Sequence, residues 1–177
     1  MAYKLPKIIT QAEFEKLFDY VLKKKKPHYK EYALCMLLAF EAGMRISEIV
    51  GWKDKVPILT KDSISFERNT IKIISGKGSK DRMVPLPKRV NANALNLLPI
   101  CVQRRAIQKF ITKIGKEVLG RQISLHTFRH GFASHLATHG RPLHELQMLL
   151  GHSRLDTTAV YLHTSPVDAV KGARDVF

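Results

Sequence analysis

Acidic residues are scarce in this chain: 15 Asp and Glu stand against 30 Lys and Arg among 177 residues, a formal net charge of +15. Cysteine is scarcer still. Cys35 sits in an apolar run and Cys101 lies far from it, so there is neither a disulfide framework nor a CxxC metal pair, and both are expected to be buried reduced thiols. Long hydrophobic runs are missing too. The longest apolar stretch, Tyr32 to Ala42, falls well short of the ~20 residues needed to span a bilayer. The N-terminus has no signal-peptide pattern, and a cytoplasmic location is expected. There is no internal repeat, low-complexity stretch or linker.

What is present is ordinary globular material, with 45% hydrophobic and 25% charged residues. The length suits one domain, taken as residues 1–177. The excess of cations is the unusual feature. Neutralising backbone phosphates releases condensed counterions, so nucleic acid is the first candidate partner and a membrane surface a weaker one.

Periodicity divides the chain into elements. Thr10 and Glu13 have capping-box spacing, followed by Phe14, Leu17, Phe18, Val21 and Leu22 at helical intervals, before Lys23 to Lys26 and Pro27. Those lysines suit either a DNA contact or the negative end of the helix dipole. Residues 29–42 are apolar almost all round, which predicts a helix buried within the domain and stopped at Gly43. Ser47 is expected to cap a short helix carrying Glu48, Ile49 and Trp52. Between Ile64 and Pro85 the period changes: Ile64/Phe66, Ile71/Ile73 and Met83/Val84 predict a small antiparallel sheet. Helical spacing returns from Val102 to Gly120, then at 127–139, 142–150 and 155–162, ahead of a mixed tail over 163–177. The fold class expected is mainly α with a small antiparallel β-sheet.

Metal and nucleotide chemistry find little support. His126/His130 and His135/His139 are spaced i, i+4, but no HExxH is present and the carboxylates at Asp54, Asp62, Glu67 and Asp81 are scattered singly. The segment from Gly76 to Ser79 fails as a Walker A loop, with Ile71 where a glycine is needed and Gly78 after the lysine. Neither a metal nor another cofactor is expected. Cations, histidines and a tyrosine remain, in this order: Ala42-Gly-Met-Arg45-Ile-Ser-Glu48, Gly76-Lys77-Gly-Ser-Lys80-Asp-Arg82, His126-Thr-Phe-Arg129, Leu150-Gly-His152 and Tyr161.

Together these segments resemble the catalytic domain of the tyrosine recombinases, the phage-integrase family, from about Thr10 to Tyr161. The resemblance implies that family's catalytic-domain fold and a site-specific recombinase that cuts and rejoins DNA through a 3′-phosphotyrosyl intermediate, without metal or ATP. Its catalytic set would be Arg45, Lys77, His126, Arg129, His152 and Tyr161, with Glu48 supporting an arginine and Lys80 and Arg82 contacting DNA. The chemistry is coherent with these residue types. Guanidinium forks suit the extra negative charge of a phosphorane-like transition state. Tyr161, with an ordinary pKa near ~10, needs either His126 or His152 to take its proton, and Lys77 suits protonation of the leaving 5′ oxygen.

Two departures from the family pattern stand out. The stretch from Trp52 to Asp62 is longer than usual and is expected to alter a surface loop. The chain also starts almost at the catalytic domain, so the family's N-terminal core-binding domain is expected to be absent: the chain is either an excised fragment or a naturally minimal protein that borrows binding energy from a separate domain or accessory protein. Expected partners are double-stranded DNA and further copies of the chain, as a dimer or tetramer on DNA. Two alternatives compete: type IB topoisomerase-like nicking and resealing, and a non-catalytic DNA-binding regulator using 127–139 and 142–150 as a helix-turn-helix.

Overall fold

Thr10 opens the first helix as its spacing with Glu13 predicts. In the computed structural model, which describes residues 8–24, 26–53, 55–74 and 81–151, the Thr10 hydroxyl accepts from the Glu13 backbone N–H at 3.2 Å. The Glu13 carboxylate in turn accepts from the Thr10 N–H at 3.0 Å. Helix α1 spans Gln11–Lys23 and buries Phe14, Leu17, Phe18 and Val21. Leu22, expected on the same face, is exposed, because it lies a further 100° round from Val21, beyond the buried stripe.

Helix α2, Tyr29–Glu41, is the centre of the domain: every residue from Ala33 to Phe40 is buried, and both α1 and α6 (Leu125–Thr138) pack on it. The three helices meet at aromatic rings. Phe14 stacks on Phe40 with centroids 4.2 Å apart and meets Phe128 edge-on at 6.0 Å. Gly43 ends α2 with φ +63°, and a Cβ there would lie 2.5 Å from the Phe132 ring, so both conformation and space require glycine.

The short helix α3 covers Ile46–Val50, with Arg45 at the N-cap position rather than Ser47. Trp52 lies outside it, bridged to Val56 across a tight turn. This longer link is exposed at Trp52, Lys53 and Lys55, then returns to the fold where buried Leu59 donates its N–H to the Ile49 carbonyl at 3.2 Å. A 3-10 turn, Lys61–Ser63, leads into strands β1 (Ile64–Ser65), β2 (Thr70–Ile73) and β3 (Arg82–Pro85). They form an antiparallel sheet in the order β1-β2-β3, with Ile71 opposite both Ile64 and Val84, and Ile73 opposite Arg82. Ile71, Ile73 and Val84 face the core while Met83 faces out, as a two-residue period requires. Phe66, expected in β1, sits exposed in the following turn.

Helix α4 (Ala92–Leu95), capped by Asn91, is too short to leave a periodic signal and was not expected. Helix α5 runs Arg104–Leu119 and stops at Gly120, in the left-handed region. Helix α6 begins at Leu125, two residues before Thr127, because Ser124 and Thr127 exchange reciprocal capping bonds of 3.1 and 3.4 Å. Helix α7, Leu143–Leu150, follows Pro142, ends at Gly151 and packs on β3. The helix expected over 155–162 and the tail over 163–177 lie outside the described residues. The fold is thus mainly α with one small antiparallel sheet. Among the described residues no helix is long and apolar enough to cross a membrane.

The α2–α6 contact yields a test. Gly131 sits inside α6, where alanine would be favoured by about 1 kcal/mol on propensity alone. A Cβ there would lie 2.5 Å from the Ile9 carbonyl oxygen and 2.9 Å from the Phe40 ring. Overpacking of this kind costs about 1–3 kcal/mol and backbone cannot yield cheaply. Gly131→Ala is expected to lower the urea unfolding midpoint, and a rise would contradict this close packing.

Candidate active site

Arg45 is held at both ends. Its backbone lies between buried Met44 and Ile46, and its side chain is 34% exposed. Glu48, one helical turn on, accepts from the Arg45 backbone N–H at 2.7 Å and from Arg45 Nη1 at 2.9 Å. The same carboxylate receives Arg82 from β3, with Nη1 donating to Oε1 at 2.8 Å and Nη2 to Oε2 at 2.9 Å. Burial alone pushes the Glu48 carboxyl up. The hydrogen bonds and charge of Arg82, followed by those of Arg45, outweigh this and hold it below the usual carboxylate value.

The end of α7 supplies the next layer. The last carbonyls of a helix lack partners within it, and arginines can fill that gap. Arg82 Nε donates to the Leu149 carbonyl at 2.8 Å, and Arg129 Nη2 donates to the Leu150 carbonyl. Arg129, 5% exposed and projecting from α6, also donates through Nη1 to the Gly43 carbonyl at the end of α2. Two successive α7 carbonyls thus anchor two arginines immediately before Gly151. The Gly43 turn that leads into Arg45 is tied to Arg129.

His126 lies in the first turn of α6, one turn before Arg129, and is exposed. Partial desolvation, then the charges of Arg129, Arg45 and Arg104, push its pKa below the ordinary imidazole value. The positive end of the helix dipole acts in the same sense. His126 is therefore neutral at pH 7 and able to accept a proton, among three guanidinium groups that remain charged.

Of the residues expected from the sequence, Arg45, Glu48, His126 and Arg129 are brought together. Lys77, Lys80, His152 and Tyr161 lie outside the described residues. Arg82, expected to contact DNA, donates to Glu48 and to the Leu149 carbonyl, with 8% of its side chain exposed. Sequence reasoning missed Arg104, the first residue of α5, whose guanidinium lies 4.1 Å over the Trp52 ring and whose charge acts on His126. No local pattern links the two residues, since the contact joins α5 to the turn after α3.

The profile of the phage integrase family matches residues 7–167. The chain belongs to this family. It is 32% identical over 174 residues to tyrosine recombinase XerA of Thermococcus kodakarensis, covering 89% of this chain and 58% of that protein. It is 32% identical over 181 residues to tyrosine recombinase XerD of Pseudomonas aeruginosa, covering 90% and 58%. The chain therefore spans less than two thirds of the length of these relatives. Among solved structures, XerH site-specific recombinase bound to difH substrate in a pre-cleavage complex superposes with a TM-score of 0.73. Its identity is 20%, over 98% of this chain and 55% of that one. The catalytic domain of bacteriophage HP1 integrase gives 0.62 at 21% identity, over 94% and 93%. These likenesses establish an integrase-type catalytic-domain fold.

The site predicts a pH response. The His126 ring, followed by NMR, is expected to titrate below ~6.5, and Arg45→Gln to raise that midpoint by removing a nearby cation. His130 and His135 are also lowered, chiefly by desolvation. For a histidine whose folded pKa is depressed, the unfolded chain binds protons first as pH falls. Stability contributed by these groups is therefore complete above ~6.5 and is lost as pH drops through the lowered folded values. A His126 midpoint at or above the ordinary value would contradict the arrangement.

Proposed function

We propose that this chain is the catalytic part of a site-specific DNA recombinase that cuts and rejoins duplex DNA through Tyr161. The observation that carries the reading is the convergence of Arg129, bonded to the Gly43 turn that leads into Arg45, with Arg45 and with His126 one helical turn before it, because fixed cations beside an imidazole suit phosphoryl transfer. Membership of the phage integrase family and the recombinase names of its relatives support it.

In this mechanism the Tyr161 oxygen attacks the scissile phosphorus and the bond to the 5′ oxygen breaks. The phenol proton passes to a histidine, for which neutral His126 is suited, and Lys77 gives a proton to the departing 5′ oxygen. Arg45 and Arg129, aided by His152, hold the charge that builds on the nonbridging oxygens. A 3′-phosphotyrosyl link and a free 5′ hydroxyl result. Attack by the 5′ hydroxyl of a second strand reverses each proton movement, so neither ATP nor metal is needed. Double-stranded DNA is the substrate, and exchange between two duplexes calls for several copies of the chain, as a dimer or tetramer, with a core-binding domain or accessory protein completing the grip. The cytoplasm is the proposed location.

A duplex nicked near the cleavage site should trap a denaturant-resistant adduct with the wild-type chain and none with Tyr161→Phe. Lys77→Ala should slow cleavage of ordinary DNA yet recover on a bridging 5′-phosphorothiolate, whose sulfur leaves without protonation. Arg129→Ala should lose about 10²–10³-fold in rate and show no such recovery. An adduct with Tyr161→Phe would overturn the nucleophile, and equal recovery of both variants would overturn the division between acid and clamp.

A further inference from the structure

Glu48 can orient Arg45 only if its own carboxylate is held, and α3, at five residues, does little to hold it. The constraint comes from outside the helix. Each carboxylate oxygen serves both arginines: Oε1 accepts from Nη1 of Arg45 and of Arg82, while Oε2 accepts from the Arg45 backbone N–H and from Arg82 Nη2. A bidentate guanidinium fixes the plane of the carboxylate it grips, which a single ammonium cannot do. Arg82 is itself fixed, by its Nε bond to Leu149 and by packing against the Gly151 turn, where a Cβ would lie 3.0 Å from Arg82 Cδ. The orientation of Glu48 is therefore set by β3 and α7.

We propose that Arg82 is a positioning residue for Arg45: by fixing the plane of the Glu48 carboxylate it sets the direction in which Arg45 presents its guanidinium to the scissile phosphate. The inference rests on the recombinase reading above. Arg82 touches no DNA in this scheme. The charged groups acting on Glu48 are Arg82 and Arg45, so removing the fork changes the environment of Arg45 through this carboxylate.

The test compares wild type, Arg82→Lys and Arg82→Met in the full chain, with folding checked by circular dichroism. Cleavage is measured on nicked duplexes carrying either an ordinary phosphodiester or a methylphosphonate at the scissile position. The methyl group removes one negative charge, so a correctly aimed Arg45 matters less. Arg82→Lys keeps the charge and loses the fork, and it decides the matter if Arg82→Met does not fold. Misplacing a catalytic group by about 1 Å costs up to ~100-fold. Arg82→Lys should slow phosphodiester cleavage by about 10–100-fold, with the deficit largely disappearing on the methylphosphonate. Equal slowing on both substrates, as from general loosening of the fold, or no slowing on either, would overturn the proposal. If wild type cleaves neither substrate, the recombinase reading falls; where wild type cleaves, the ratio of the Arg82→Lys deficits on the two substrates decides the positioning claim.

Discussion

A buried carboxylate shared by two arginines is the constraint on which the site depends. Glu48 and Arg82 are almost wholly removed from water, and desolvating such a pair is costly unless its hydrogen bonds are complete. Here they are extensive: four donors reach the two oxygens of Glu48, and the remaining edge of Arg82 reaches the end of α7. The pair therefore ties together three segments that are distant in the chain: the α2–α3 turn with Arg45, the start of β3, and the C-terminus of α7. Arg129 repeats the pattern beside it, joining the Gly43 turn to the next α7 carbonyl.

These ties offset the repulsion that concentrated positive charge creates. Arg45, Arg104 and Arg129 all act on His126, and among the described residues Glu48 is the acid that balances Arg45 and Arg82. The imidazole meets the surplus by staying neutral. For phosphoryl transfer this is useful, because a site already crowded with fixed cations gains more from a proton acceptor than from a further charge. The aromatic contact of Phe14, Phe40 and Phe128 supplies the rigid base from which α2 and α6 carry these groups.

Much of this was legible in the sequence where the signal is local. The Thr10–Glu13 box, the all-round apolar run of α2, the change of period at the sheet and the glycines at 43, 120 and 151 each mark an element or its end. The motif set pointed to Arg45, Glu48, His126 and Arg129, which do converge. Boundaries failed where capping was misjudged: Arg45, not Ser47, precedes α3, because Glu48 reaches back to the Arg45 backbone, and Ser124 starts α6 early enough to place His126 in its first turn. The bonds of Arg82 to Glu48 and Leu149 were not legible for a different reason: contacts between segments distant in the chain leave no spacing to read. The stacking of Arg104 on Trp52 was invisible for the same reason.

The shared carboxylate can be measured directly by a double-mutant cycle on unfolding free energy at neutral pH, using Glu48→Gln, Arg82→Met and the double variant. Glu48→Gln leaves a buried guanidinium without its counter-charge and is expected to cost about 3–5 kcal/mol. If the pair unites the site, the double variant costs less than the two single changes added together, with a coupling toward the upper part of the usual ~0.5–3 kcal/mol range. Additivity within about 0.5 kcal/mol would show that Glu48 and Arg82 contribute independently and would contradict the central role given to their contact.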